Sequence, residues 1–182
     1  VEADPVTAQH HYTLGLAYYQ EGYSDPSKWD NAEESFKNAI KRNPEYIDAI
    51  ITLGQTYYNK KDYKTAISEF QKALKKQPNN DRAYNEMAIS YYALEDYKAA
   101  EKNSLLAVKY NPTNAINNYN LGLAYYMQKE WEDAIASFEK AVQYDPAYEN
   151  AWFSLANCYW YTNKFDKSYE YYNKVLQLNP NN

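Results

Sequence analysis

The feature that most restricts how this chain can fold is a period. Sliding the sequence against itself brings Gly54, Ala88, Gly122 and Ala156 into register at a constant step of 34 residues. Pro78, Pro112, Pro146 and Pro180 keep that step, as do Ala66, Ala100 and Ala134, and Tyr57, Tyr91, Tyr125 and Tyr159. The chain divides into units at 47–80, 81–114, 115–148 and 149–182, preceded by a longer unit at 8–46 and a lead-in at 1–7. The longer unit holds Gly15, Tyr18, Ala32, Phe36, Ala39 and Pro44, with five extra residues, Tyr23 to Ser27, between its halves. In the lead-in, Asp4 before Pro5 reads as a helix cap with proline at the first helical position.

Apolar positions inside each unit follow helical spacing. Ile50, Leu53, Gly54 and Tyr57 form an i, i+3, i+4, i+7 stripe, and Ala66, Phe70 and Ala73 an i, i+4, i+7 stripe. Two amphipathic helices per unit follow, with a polar turn at Asn59 to Asp62 and Pro78 closing the second helix. Glycine or alanine on the stripe marks close helix approach, with aromatic side chains filling the space beside it. One such unit cannot cover its own apolar face, so successive units must stack. The predicted fold is all-α, a right-handed α-solenoid of helix-turn-helix repeats, with ten helices over residues 8–182 and no strand.

Trp152, Leu155, Ala156 and Tyr159, and Leu121, Gly122 and Tyr125 followed by Ala134, Phe138, Ala141 and Pro146, carry a resemblance to the tetratricopeptide repeat (TPR) family. It covers residues 8–182. Three features depart from the family pattern. The insert lengthens one turn, where Tyr23 either packs back on the surface or meets a partner. Ser104 replaces the phenylalanine found at 36, 70 and 138, so that junction is expected to be softer, or shifted so that Leu105 or Leu106 fills the space. Arrays of this family usually end in an extra polar-faced helix, whereas this chain stops at Asn181 and Asn182, so either it is a fragment of a longer protein, which is the expectation, or its C-terminal face meets another molecule. Val1 in place of methionine fits an upstream segment removed by processing or truncation.

Composition narrows function by exclusion. A net charge of −5 with no extended Lys/Arg run argues against broad nucleic-acid binding, which needs a basic field to displace counterions. No apolar run has the length of a membrane span, so no direct membrane insertion is expected. The single cysteine leaves the compartment open, with a soluble cytoplasmic protein as the expectation. No catalytic, cofactor or metal constellation emerges. His10 and His11 are adjacent and diverge by about 100° on a helix. Cys158 aligns with Ala17, Thr56, Ser90 and Ala124, as a small buried spacer would. Glu33, Glu34, Glu132 and Asp133 sit among lysines as solvated faces do, and the glycines are isolated rather than clustered in a phosphate loop.

The resemblance also implies where a partner would lie. In the family the first helix of each repeat lines a concave groove. On this sequence that implies Tyr12, Leu16 and Tyr19; Ile51, Gln55, Tyr58 and Asn59; Asn85, Glu86, Ile89 and Tyr92; Tyr119, Asn120, Leu123 and Tyr126; and Phe153, Asn157, Trp160 and Tyr161. Among these first helices Arg82 is the only lysine or arginine, so the cationic clamp by which some members hold a C-terminal carboxylate is missing. Amides can pair with an extended backbone, and tyrosines offer an apolar face with a polar tip. The same spacing also suits plain packing for Tyr19, Tyr58, Tyr92 and Tyr126. Three functions follow: a protein-interaction scaffold taking an extended peptide or partner helix, the substrate-recruiting arm of a larger enzyme, and an array that self-associates end to end.

Overall fold

The computed structural model describes residues 4–179. These residues contain ten α-helices and no strand: α1 (Pro5–Glu21), α2 (Lys28–Arg42), α3 (Ile47–Asn59), α4 (Tyr63–Lys76), α5 (Asp81–Ala93), α6 (Tyr97–Tyr110), α7 (Ala115–Met127), α8 (Trp131–Tyr144), α9 (Glu149–Tyr161) and α10 (Phe165–Leu178). They group into two compact bodies divided between Leu94 and Glu95, α1 to α5 in the first and α6 to α10 in the second. The division falls inside the third repeat. Pro180, Asn181 and Asn182 lie outside the described residues. Odd-numbered helices are the first helices of the repeats, and α1 begins at Pro5, ahead of the unit start expected at residue 8.

Five of the ten helices start on a side-chain cap, and Asp4 is the one that the sequence leads one to expect. Asp4 accepts a hydrogen bond from the Thr7 amide at 3.2 Å, and Asp62, Asn80 and Asp96 accept from Thr65, Ala83 and Ala99 at 3.2, 2.8 and 3.0 Å. Helix ends hold a surprise. Lys61, Glu95, Lys129 and Asn163, one in each of the last four repeats and 34 residues apart, have φ of 63°, 61°, 62° and 58°. A left-handed residue lets the next amide turn back onto the helix, as Asp62 N bonds Tyr57 O at 2.9 Å and Glu130 N bonds Tyr125 O at 3.0 Å. Glycine usually fills this place, and its absence hid the motif in the sequence.

In the first body the core forms where glycine faces phenylalanine. A Cβ built on Gly15 would lie 2.6 Å from Phe36, and one on Gly54 would lie 2.8 Å from both Cδ1 and Cζ of Phe70. Both rings are fully buried. Around Phe70 pack Ile50, Ile51, Ala66, Ile67, Ala73, Ala83 and Met87. The insert folds back on this body. Tyr23 lies edge-on to Tyr19 and Trp29 with ring centres 5.6 and 5.2 Å away, and its hydroxyl donates to that of Tyr19, although the ring stays 65% exposed.

The second body repeats the device with Gly122 against Phe138, in a core of Ala134, Ile135, Ala141, Val142, Ala151, Leu155, Cys158 and Tyr159. Where the phenylalanine is lost, the glycine is lost too: the third repeat has Ala88 and Ser104, the fifth Ala156 and Tyr172. Ser104 is fully buried and its Oγ has no hydrogen-bond partner. Leu105 does not fill the place of the missing ring, because it points outward and is 43% exposed.

Candidate functional site

Two faces made by first helices carry the residues that the sequence nominates. In the first body, α1, α3 and α5 are cross-linked by side chains. Asn59 donates to the Tyr19 hydroxyl at 3.0 Å, and Tyr12 and Thr52 share a long hydroxyl contact of 3.5 Å. Gln55 donates to Glu86 at 2.6 Å while its carbonyl accepts from Arg82 at 3.2 Å. Arg82 also pairs with Asp48 at 3.3 Å, so the one cation of these helices is already held by neighbours. Burial pushes Glu86 above the usual carboxylate range, against the Gln55 hydrogen bond and the Arg82 charge. This face is a ladder of satisfied polar groups more than a set of open ones.

Two of the nominated residues need correction. Ile51 is 1% exposed, because α3 turns it inward against the Phe70 cluster, and it cannot meet a ligand. Asn85, at the same register one repeat later, is 7% exposed and is likewise a buried residue. Their counterparts Tyr12 and Tyr119 lean on Phe36 and Phe138, with ring centres 5.7 and 5.6 Å away, and stay half-buried. Leu16 and Tyr19 pack on the Phe36 core, Tyr58 on the Phe70 core, and Leu123 and Tyr126 on the Phe138 core. The tyrosines therefore serve packing and surface together. Ile89, Tyr92 and Asn120 are also half-buried.

The second body differs in kind. On α9, Phe153, Trp160 and Tyr161 are 49%, 46% and 55% exposed. Tyr161 stacks on Trp131 at 4.9 Å with 13° between the planes, and Tyr126 stands edge-on to Trp131 at 5.3 Å. Trp160 meets Phe165 edge-on at 5.0 Å, Phe153 meets Tyr172 at 5.8 Å, and the Tyr172 hydroxyl donates to Asn157. Burial and the Tyr161 hydroxyl push Tyr126 well above the usual phenol range, so it remains a neutral group. The result is three groups of ring contacts, Tyr126–Trp131–Tyr161, Trp160–Phe165 and Phe153–Tyr172, each holding an exposed ring of α9. A patch of this kind commonly marks a protein-binding surface.

Sequence reasoning missed the second-helix members of this surface, Trp131, Phe165 and Tyr172. The signal was there: Trp29, Tyr63, Tyr97, Trp131 and Phe165 keep one register, always aromatic, at the first or second residue of each second helix. His10 and His11 stand together on α1, exposed and half-buried. Cys158 is fully buried, and burial pushes its thiol up to about 12. Among the described residues no helix is long and apolar enough to cross a membrane.

Comparison with known proteins gives a consistent result. Family profiles described as tetratricopeptide repeat match residues 81–114, 115–148 and 149–182, and one described as TPR repeat matches residues 54–95. Comparison with curated proteins gives no match. Among solved structures the chain is similar to PilF of Pseudomonas aeruginosa, at 23% identity over 97% of this chain and 78% of that one, with a TM-score of 0.85. It is similar to MamA of Desulfovibrio magneticus RS-1, at 23% identity over 94% of each chain, with a TM-score of 0.81. It is also similar to YrrB, described as a TPR protein with an unusual peptide-binding site, at 20% identity over 94% of this chain and 86% of that one, with a TM-score of 0.71. At these identities the likeness establishes the fold.

Proposed function

Because the chain belongs to the tetratricopeptide repeat family, we propose that it is a non-catalytic scaffold that holds an extended segment or a helix of another protein on its first-helix faces. The observation that carries this reading is the exposed aromatic surface of α9, Phe153, Trp160 and Tyr161, on a chain whose other large rings are mostly packed away. Aromatic anchors supply large contact area at low entropic cost, which is why they dominate binding hot spots. Asn157 lies on the same helix one turn beyond Phe153, with its carbonyl oxygen held by the Tyr172 hydroxyl. A peptide-binding site on the related fold of YrrB is consistent with this use. With Arg82 held by Asp48 and Gln55, these faces offer little free positive charge, so the interaction is largely apolar and insensitive to salt. The test is affinity capture with the chain and with Phe153→Ala and Trp160→Ala. Loss of the same partner from both variants, with unchanged helicity, supports the reading. Retention by both removes it.

A second reading, association of the chain with itself, is favoured by two positions. Leu14 is 47% exposed although its counterparts Leu53 and Leu155 are 3% and 0% exposed, and Leu176 is 49% exposed although its counterpart Val142 is 7%. These are opposite halves of the contact that joins successive repeats, so they complement one another between copies. Mass rising with concentration in light scattering, and abolished by Leu14→Glu, would support it.

A further inference from the structure

On the other side of the first body, α2, α3 and α4 enclose a surface groove of about 630 Å³. Its floor is apolar, made by Ile40, Pro44, Ile50 and Leu53. Its rim is basic. Lys37, Lys72, Lys75 and Lys76 surround it with one carboxylate, Glu69, on a chain whose net charge is −5. Lys37 and Lys72 are held by Glu33 and Glu69 at 2.6 Å, and Lys76 pairs with Glu45. Lys75 has no carboxylate within ion-pair distance among the described residues.

The second body shows what fills the same place when the chain supplies its own occupant. Three repeats on, Pro146, Trp152 and Leu155 stand at the registers of Pro44, Ile50 and Leu53. The Trp152 indole donates to the Pro146 carbonyl at 2.9 Å and lies against Tyr171 with ring centres 5.5 Å apart. Two repeats on, Asn118 donates to the Pro112 carbonyl, also at 2.9 Å. In the first body the Ile50 side chain has no donor to offer, and among the described residues no donor reaches the Pro44 carbonyl. Three of the four rim lysines are particular to this groove, whereas Lys72 has lysine counterparts in Lys140 and Lys174. The registers of Lys37, Lys75 and Lys76 read Leu105, Gln143 and Tyr144 two repeats on, and Glu139, Gln177 and Leu178 three repeats on.

We propose that the α2–α3–α4 groove docks a protein segment in which a tryptophan is flanked by acidic side chains. The indole takes the place that Trp152 takes in the fifth repeat and donates to the Pro44 carbonyl, and a flanking carboxylate meets Lys75, the rim lysine with no ion pair among the described residues. This site is separate from the aromatic surface of α9 and is sensitive to salt where that surface is not.

The test is fluorescence anisotropy of the whole chain with a labelled peptide that places one tryptophan between two acidic pairs, in low salt. Saturable binding is expected, weakened about tenfold or more when alanine replaces the peptide's tryptophan or lysines replace its acids. Ile50→Trp gives the groove its own occupant, as the fifth repeat has, and should abolish binding with helicity retained. Lys75→Glu alters only an exposed side chain and should weaken binding about fivefold or more, so it carries the test if Ile50→Trp fails to fold. Phe153→Ala should bind the peptide normally. Equal binding of the tryptophan-free peptide, undiminished binding by folded Ile50→Trp or by Lys75→Glu, or binding to anionic vesicles but not to the peptide would each overturn the proposal.

Discussion

Replacing Gly54 by alanine puts two opposed effects on one atom. Alanine in a helix interior is favoured over glycine by about 0.8–1.0 kcal/mol, so an open site would gain stability. Gly54 is not open. The new methyl would lie 2.8 Å from both Cδ1 and Cζ of Phe70, about 1 Å inside ordinary carbon contact. The ring cannot retreat, since it is fully buried among Ile51, Ala66 and Ala73. Overpacking costs about 1–3 kcal/mol, and contacts this short against a ring with no room to move put the cost in the upper half of that range, about 2–3 kcal/mol, which exceeds the propensity gain and leaves a net loss of about 1–2 kcal/mol. In a chain of this size that lowers Tm by about 3–6 °C. Phe70→Ala alone should cost about 3–5 kcal/mol, and the two changes together less than their sum, because the methyl occupies part of the space left by the ring. In sequence the third and fifth repeats follow the same rule, each lacking both the glycine, at Ala88 and Ala156, and the phenylalanine, at Ser104 and Tyr172. Urea unfolding followed by circular dichroism measures all three variants. A Gly54→Ala protein as stable as the parent, or more stable, would refute the close-approach account.

Three further outcomes follow from the same structure. Burial alone would raise Glu33, but hydrogen bonds from Lys37, Lys60 and Tyr57 outweigh it and hold the carboxyl at about 2, below its unfolded value of about 4.3. Its stabilising effect is therefore complete above the unfolded value and is lost as pH falls toward 2, so Glu33→Gln should flatten the drop in Tm between about pH 5 and 2. Cys158, buried with its thiol raised to about 12, should react with a thiol reagent only after denaturant is added, and prompt labelling of the native chain would contradict its burial. Lys129→Gly, at a φ of 62°, should stabilise by about 0.5–1 kcal/mol by removing left-handed strain, and a loss of stability in thermal melts would count against that geometry.

The 34-residue step made the fold legible because it fixes both the helical stripe and the punctuation between helices. Gly54 as a point of close approach filled by an aromatic ring, and Asp4 as a cap, could be read directly from residue type and spacing. The binding faces were harder. Ile51 and Asn85 share the register of Tyr12, Tyr119 and Phe153, so a periodic reading assigns all five to the surface. Burial separates them, with 1% exposure for Ile51 against 49% for Phe153. That difference comes from what packs on each helix, which no period contains. Gln55 illustrates a second limit: its residue type promises a free amide, while Glu86 and Arg82 already occupy both of its ends. The left-handed turn residues Lys61 and Lys129 went unread because the geometry occurs there without glycine.

The central claim, that the first-helix faces and above all α9 hold a partner, is tested most directly by hydroxyl-radical footprinting of the chain with and without its captured partner. Phe153, Trp160 and Tyr161 are exposed in the free chain and should be oxidised readily there. The account predicts that bound partner protects these three residues, and that protection persists when salt is raised. Protection that leaves all three as reactive as in the free chain, or that vanishes with salt, would contradict it.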